Sequence, residues 1–421
     1  MSAPRGSDAR AVRARILVVS PWENVWSLGG DTKAGVSDDD RFIDGFTRAG
    51  YELHFLRPRS SQPQDDARVR THVYPNFFRA TRALPTWLRR PLWPLLFQLV
   101  VTPHALRRAR ELRPDVVVGH SHYATRTTRR IRQALGIPGV VKLFGVMDLV
   151  HTEWPRAKYV FKNFEQLVAL KYPQDAWIVL DDGTRGGDIL RAHGIAADRI
   201  HFLPNGLDVD WSEVRVDRAG ARAHFGLPSD ARVVLFLARL VASKRPQDFL
   251  RAAERVLSQR DGIAFVVAGD GPERAACERA VREGRYAERV RFLGTIAHDD
   301  VPRLLGASDL FVSTSTLTNR ALPTCEAMLC GVPVVVYDTG DTNTVVRDGE
   351  TGAVVGDGDV DALAAAMARL LDDETLRTRL AANARRLARE TFTSWETRIE
   401  MEMRVIEGLV SRARVASRGS R

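Results

Sequence analysis

The chain has 421 residues, 44% of them hydrophobic and 27% charged, a globular mix that excludes a disordered or fibrous protein and suggests two or three domains. Its three cysteines, Cys277, Cys325 and Cys330, have no metal-ligand spacing and are odd in number, which argues against a disulfide framework; a reducing, cytoplasmic setting is expected. The net charge of +10 is uneven: residues 1–210 hold 31 Lys+Arg against 22 Asp+Glu, so the first half either meets something anionic or simply wears solvated arginine.

In chain order, a polar, Arg-rich start leads to ILVVSP, too short for a signal-peptide core. No segment has the ~18 uninterrupted apolar residues of a membrane span. Short apolar, β-branched runs then recur at 16–20, 52–56, 115–119, 140–144, 177–180 and 200–203. A second series follows at 233–237, 264–268, 290–293, 310–313 and 334–337. Helical patterns lie between them, for example 38–49, 247–259, 272–283 and 360–371. Such alternation predicts parallel strands covered on both faces. Two series predict an α/β protein of two doubly wound domains. The boundary is set after Asn205-Gly206, giving domains 1–206 and 207–392. Residues 393–409 read as one amphipathic helix within a terminal segment 393–421 whose last dozen residues read as disordered.

Several segments carry chemistry. Arg239 and Lys244 follow the first strand of the second series, at the edge where open α/β sheets bind ligands; two such cations can clamp a diphosphate, or be ordinary loop charges. Gly269-Asp270-Gly271 ends the next strand, either letting a nucleotide approach the backbone or serving the turn itself. Pro272 is placed at the first position of the following helix. A further helix opens near Leu322-Pro323-Thr324, presenting N–H groups suited to an anion. Glu326 is placed in its first turn, where a carboxylate can accept two ribose hydroxyls or merely offset the helix dipole. In 77–114, arginines surround Trp87, Trp93 and Phe97, the composition of a lipid-interface segment or of a packed helical excursion.

Together these strings resemble the retaining nucleotide-sugar glycosyltransferases of family 4, with the GT-B fold of two Rossmann-like domains facing an interdomain cleft. The resemblance rests on LPNGLD (203–208), ARLVASK, VVAGDGPER, VRFLGTI (290–296), LLGASDLFVS (304–313), LPTCEAMLCGVPVV and RDGETGAVV (347–355) in order. It implies sugar transfer from a nucleotide diphosphate sugar, UDP- or GDP-linked, to a hydroxyl acceptor, lipid-linked or soluble, with no cofactor and no metal. It implies that Arg239 and Lys244 bind the diphosphate. Gly35, in the glycine-rich loop with Gly29 and Gly30, would cover the phosphates. Ile296 would meet the base, Glu326 the ribose, and His122 the donor sugar. The first glutamate of the family's pair falls on Thr318, followed by Asn319 and Arg320. The family's second His, from a His-Gly pair, falls on Phe144. Asp148 is an acceptor-side candidate. An N-terminal acceptor domain, a helix crossing back to it and peripheral contact with the inner face of an anionic membrane through 77–114 complete the expectation. A nucleic-acid partner is not expected, for want of any motif. A phosphorylase, a nucleotide-sugar hydrolase or epimerase, and a binding protein without turnover stay open as alternatives.

Overall fold

Strands form where β-branched runs are buried on both faces, and helices where the apolar period lengthens to cover them. The computed structural model describes residues 12–22, 38–59, 67–146, 149, 151–181, 185–316, 322–340 and 342–419. The first domain runs β1 (Arg15–Val19), α1 (Asp38–Arg48), β2 (Glu52–Pro58), β3 (Arg70–Tyr74), α2 (Phe77–Ala80), α3 (Thr86–Leu96), a π-helical segment (Phe97–Val101), α4 (Thr102–Leu112), β4 (Val116–His120), α5 (Thr125–Leu135), β5 (Gly139–Leu143), α6 (Arg156–Leu170), β6 (Ala176–Leu180), α7 (Gly186–Ala192) and β7 (Ile200–Leu203). Its sheet has the order β3-β2-β1-β4-β5-β6-β7, with every neighbouring pair parallel. Alternate side chains of β1 serve opposite layers, as a pleat requires. Ile16 and Val18 pack with Phe42 and Phe46 of α1, while Leu17 and Val19 pack with Ala105 and Ala109 of α4. Each fully buried side chain of this kind contributes about 1.5–3 kcal/mol.

The second domain runs α8 (Arg218–Phe225), β8 (Arg232–Leu237), α9 (Pro246–Leu257), β9 (Ile263–Ala268), α10 (Arg274–Glu283), β10 (Val290–Gly294), α11 (Val301–Ala307), β11 (Leu310–Ser313), α12 (Leu322–Leu329), β12 (Val334–Tyr337), α13 (Thr342–Val345), β13 (Ala353–Val355), α14 (Val360–Asp372) and α15 (Glu374–Thr391). Its sheet order is β10-β9-β8-β11-β12-β13, again parallel throughout. In each sheet the order reverses beside the first strand, opening a crevice at the carboxyl ends.

The final helix, α16 (Trp395–Gly419), lies against the first domain. Ile399, Ile406, Leu409 and Val410 join the core that holds Phe42. Lys142 Nζ and Arg398 NH1 both donate to Glu402 Oε2, at 3.2 and 2.8 Å, with all three side chains fully buried. Removing one partner of such a group strands a buried charge, so these contacts fix where α16 docks. At the connection between the domains, a Cβ on Gly206 would come within 2.5 Å of the Trp395 ring, and only glycine allows that approach.

Several expectations change. The helix predicted to stop at 409 continues to Gly419; Arg414 pairs with Asp115 at 2.8 Å and helix-favouring Ala and Arg carry it on. Pro272 sits in a turn, since α10 starts only at Arg274. β3, RTHVY, escaped notice because an edge strand with an exposed face has no apolar run. In the stretch 77–114, Pro91 and Pro94 fall within α3 and the chain widens into the π-helical segment. Phe97, open between a lipid interface and a packed excursion, is fully buried, and Trp93 packs inward on Phe78 and Tyr123, as the packed excursion expects. Trp87 remains outside.

Candidate nucleotide-sugar site

A cavity of about 470 Å³ opens at the carboxyl edge of the second sheet. It is lined by Arg239 after β8, Gly269 and Asp270 after β9, and Thr295, Ile296 and His298 after β10. Leu322, Pro323 and Glu326 of α12, Asp208 of the connection, and Trp395 complete it.

The loops are tied to one another before any ligand arrives. A Cβ on Gly269 would lie 1.9 Å from Ala238 O, and one on Gly271 2.3 Å from Leu240 O. These glycines therefore seat the β9 loop against the loop that carries Arg239. Gly269 is among the cavity-lining residues, and Gly271 is not. Thr314, just past β11, donates its hydroxyl to the carbonyls of Lys244 and Arg245, at 2.8 and 2.9 Å. Arg245 itself holds a left-handed conformation (φ 43), a strain kept by that clasp.

Many arginines among the described residues meet a carboxylate, but Arg239 and Lys244 have no ion-pair partner among them. Burial holds the Lys244 amine below its ordinary range, and the neighbouring Arg239 charge adds to the effect. Two unneutralised cations side by side, one half-buried, favour an anion placed between them.

Glu326 is the opposite case. Burial raises its carboxyl to about 7; His298 works to lower it, and Asp208 to raise it. The sequence reading put it in the first turn of its helix. It lies instead in the second turn of α12, and the first turn has no acid, so offsetting the dipole does not explain it. Thr324 is buried, and its hydroxyl has no hydrogen-bond partner among the described residues.

Asp208 links three elements. Burial alone would raise its carboxyl, but hydrogen bonds and charge from His298 and Arg41 hold it low. His298 Nε2 donates to Oδ2 at 2.8 Å, and Arg41 NH2 of α1 donates to Oδ1 at 2.7 Å. The Arg41 guanidinium also lies 5.7 Å from the Trp395 ring centroid. Asp208 stood inside the string LPNGLD, but nothing in the sequence marked it, His298, Arg41 or Trp395 as neighbours.

His122 is not among the cavity-lining residues. It follows β4 behind Ser121, a non-glycine residue at φ 68. Its Nδ1 is 3.2 Å from Ser121 Oγ, and its Nε2 is 3.4 Å from Glu165 Oε2 of α6. Tyr123 donates its hydroxyl to the same oxygen at 2.7 Å. Glu165 Oε1 is buried without a hydrogen-bond partner among the described residues. Phe144, standing where the family has histidine, packs edge-on against Trp22 with centroids 4.8 Å apart, and lies 5.4 Å from the His120 ring. Gly35, Asp148, Thr318, Asn319 and Arg320 lie outside the described residues. No three His, Cys, Asp or Glu side chains among the described residues are grouped to hold a metal ion.

The two parallel sheets, with a cavity at the carboxyl edge of the second, define a GT-B architecture. The family model for glycosyltransferase family 4 matches residues 40–211, and that for glycosyl transferases group 1 matches 217–387. Between them they take in most of the chain, which belongs to the glycosyltransferases of this type. It is 30% identical over 211 residues to the alpha-D-kanosaminyltransferase of Streptomyces kanamyceticus, covering 50% of this chain and 54% of that protein. It is 33% identical over 262 residues to the D-inositol 3-phosphate glycosyltransferase of Salinispora tropica, covering 58% and 52%. The chain thus spans about half the length of the curated relatives it matches. Among solved structures, sucrose-phosphate synthase from Thermosynechococcus elongatus superposes with a TM-score of 0.72 at 19% identity, covering 95% of this chain and 100% of that one. Anabaena HepE in complex with UDP superposes with a TM-score of 0.69 at 19% identity, covering 94% and 100%. These likenesses concern the fold.

Proposed function

We propose that the protein transfers a hexosyl group from a nucleotide diphosphate sugar to a hydroxyl acceptor, with retention and without a metal ion, in the biosynthesis of a polysaccharide, glycolipid or glycoconjugate. The observation that carries this reading is the unpaired Arg239–Lys244 couple beside a cavity that holds a buried Glu326. The diphosphate sits against the two cations and the start of α12, and Glu326 accepts the ribose hydroxyls. As the glycosyl–phosphate bond breaks, its electron pair moves onto the β-phosphate, where Arg239 and Lys244 stabilise the growing charge. The acceptor hydroxyl attacks the anomeric carbon from the face that the phosphate leaves, and its proton passes to a phosphate oxygen. UDP- or GDP-sugars are the donors this reading favours. Thr318, Asn319 and Arg320 would face the donor sugar, and Gly35 its phosphates. Asp148 would face the acceptor. The names of the relatives, a kanosaminyltransferase and a D-inositol 3-phosphate glycosyltransferase, and the UDP complex of a fold relative, support this class of substrate.

The enzyme would work in the cytoplasm at the inner face of a membrane, reached through 77–114. No helix among the described residues is long and apolar enough to cross one.

Phe144 in place of a family histidine favours one second reading, a protein that binds nucleotide sugar without turnover. The test is a transfer assay with UDP- and GDP-sugars in EDTA, with NMR of the product anomer. Retained configuration in the presence of chelator supports the proposal. A requirement for Mn²⁺, or an inverted product, overturns that part of it. Donor binding with no transfer to any acceptor favours the second reading.

A further inference from the structure

Three neighbouring strands of the second sheet, β8, β11 and β12, end side by side, and the residues that follow them are tied together in a row. After β11 the chain reads Thr314-Ser315-Thr316, with the first two side chains buried. Toward β8, this segment takes the carbonyls of three consecutive residues. The Thr314 hydroxyl donates to those of Lys244 and Arg245, at 2.8 and 2.9 Å. Thr316 donates its N–H, at 2.9 Å, and its hydroxyl, at 3.2 Å, to that of Ser243. Toward β12, Thr339 donates its hydroxyl to the carbonyl of Ser315 at 2.8 Å.

The loop held in this way has little regular structure of its own. Ala242–Lys244 is a single 3-10 turn, Arg245 stands at φ 43, and Pro246, which has no N–H, opens α9. Its two successive cations are treated differently. Arg245 is anchored, with NH1 2.6 Å from Asp357 Oδ1 in the connection from β13 to α14 and its guanidinium 5.9 Å from the Tyr337 ring centroid. Lys244 has no ion-pair partner among the described residues, is half-buried, and feels the like charge of Arg239. An ammonium on a flexible four-carbon stem ordinarily turns away from such a neighbour and into water. The backbone beneath it must therefore be held.

We propose that Thr314 and Thr316 are positioning residues: by gripping the backbone of 243–245 they keep the Lys244 ammonium beside Arg239, so that both cations meet one diphosphate. The use of this device rests on the diphosphate reading of the site; the grip itself does not. What opposes the repulsion is a buried hydroxyl shared by two carbonyls, which a valine of the same shape cannot supply. A segment that merely joins strand ends would, when cut, cost stability alone. A positioning segment also changes the surroundings of one particular amine, and with it the preorganised charge of the site.

The test reads that amine directly. The chain has six lysines, so ¹³C-methylation of the folded protein allows the Lys244 signal to be followed by NMR and assigned by its loss in Lys244→Arg. In the native chain it titrates below the ordinary lysine range, through burial first and then the Arg239 charge. In Thr314→Val it rises toward that range, and in Thr314→Ser, which keeps the hydroxyl, it stays as in the native chain. Thr316→Val keeps its N–H bond and shifts it less, and it carries the same comparison if Thr314→Val does not fold. Nucleoside diphosphate affinity falls at least ~10-fold in Thr314→Val, while affinity for the nucleoside monophosphate, which lacks the β-phosphate, changes less than ~2-fold. An unmoved Lys244 midpoint in the valine variants overturns the proposal, as does a shift that Thr314→Ser shares or an equal loss of both nucleotides. If no nucleoside diphosphate binds the native chain while the amine shifts as described, the transferase reading fails and the grip stands. If the native chain binds diphosphate through Arg239 and Lys244 while the amine does not shift, only the grip fails.

Discussion

Arg41 of the first domain reaches Asp208 of the interdomain connection, with NH2 2.7 Å from Oδ1. That contact restrains a charge which otherwise bears on Glu326, and so ties the first domain to the protonation of the carboxylate proposed to bind ribose. Glu326 must be ionised to accept two hydroxyls, and its midpoint stands at about 7. Nucleoside diphosphate affinity should therefore fall as pH drops through 7, approaching ~10-fold per unit well below it. Arg41→Ala leaves the Asp208 charge less compensated and moves this loss to higher pH. His298→Asn removes the influence that lowers Glu326 and acts in the same direction. Calorimetric titration with UDP and GDP between pH 6 and 8.5 checks both; a flat profile would sink the assignment of Glu326.

The same raised midpoint has a stability consequence of known sign. An acid whose folded pKa lies above its unfolded value binds more protons in the folded state, so folding weakens as pH rises from about 4.5 to about 7. Glu326→Gln should raise the melting temperature at pH 8, change it little near pH 4.5, and weaken nucleotide binding ~10-fold or more. Differential scanning fluorimetry at the two pH values measures it. Equal effects at both would mean that the carboxylate is not held against its charge.

Glu165 should fix which nitrogen of His122 carries the proton. Its carboxylate 3.4 Å from Nε2 favours the Nε2–H form, with Nδ1 left to accept from Ser121. Ring ¹⁵N shifts should report that tautomer in the native chain and a mixture in Glu165→Ala, while Tyr123→Phe preserves it. Transfer should drop in Glu165→Ala with nucleotide affinity unchanged. An unaltered tautomer would contradict the relationship.

Acid should loosen the far edge of the first domain. His54 Nδ1 and His72 Nε2 are 3.0 Å apart between β2 and β3, and His54 Nε2 is 2.9 Å from Glu52 Oε1. Burial first, then the Arg108 charge, push His72 down to about 4, and burial lowers His54 as well. A histidine with a depressed folded pKa stabilises fully above its unfolded value near 6.5, and that stability is lost as pH falls toward about 4. His72→Asn should flatten the dependence of chemical denaturation over that range; an unchanged slope would show that the pair is not responsible.

The two sheets were legible because their strands are buried on both faces and read as apolar runs. The exposed β3 and the three-residue β13 were not, having no such run. Within the site, Arg239, Gly269, Ile296, Pro323 and Glu326 were legible from local strings, since each stands in a loop or helix entry that its own neighbours define. Asp208, His298, Arg41 and Trp395 were not. They come from four separated segments, and only the docking of α16 and the turn at Gly206 bring them together. Composition drew attention to 77–114 but could not tell Phe97, which faces the core, from Leu99, which faces water, because α3 passes into a π-helical segment there.

The most direct measurement is thermal stabilisation by UDP, GDP, ADP and dTDP in the presence of EDTA, on the native chain and on Arg239→Ala/Lys244→Ala. Binding at about 100 times the dissociation constant stabilises a folded protein by ~2.7 kcal/mol, well within detection. At least one nucleoside diphosphate should stabilise the native protein without metal, and the double variant, equally folded, should lose that stabilisation. If no nucleoside diphosphate stabilises the native chain, or if the double variant responds as the native chain does, the unpaired Arg239–Lys244 couple is not a diphosphate site.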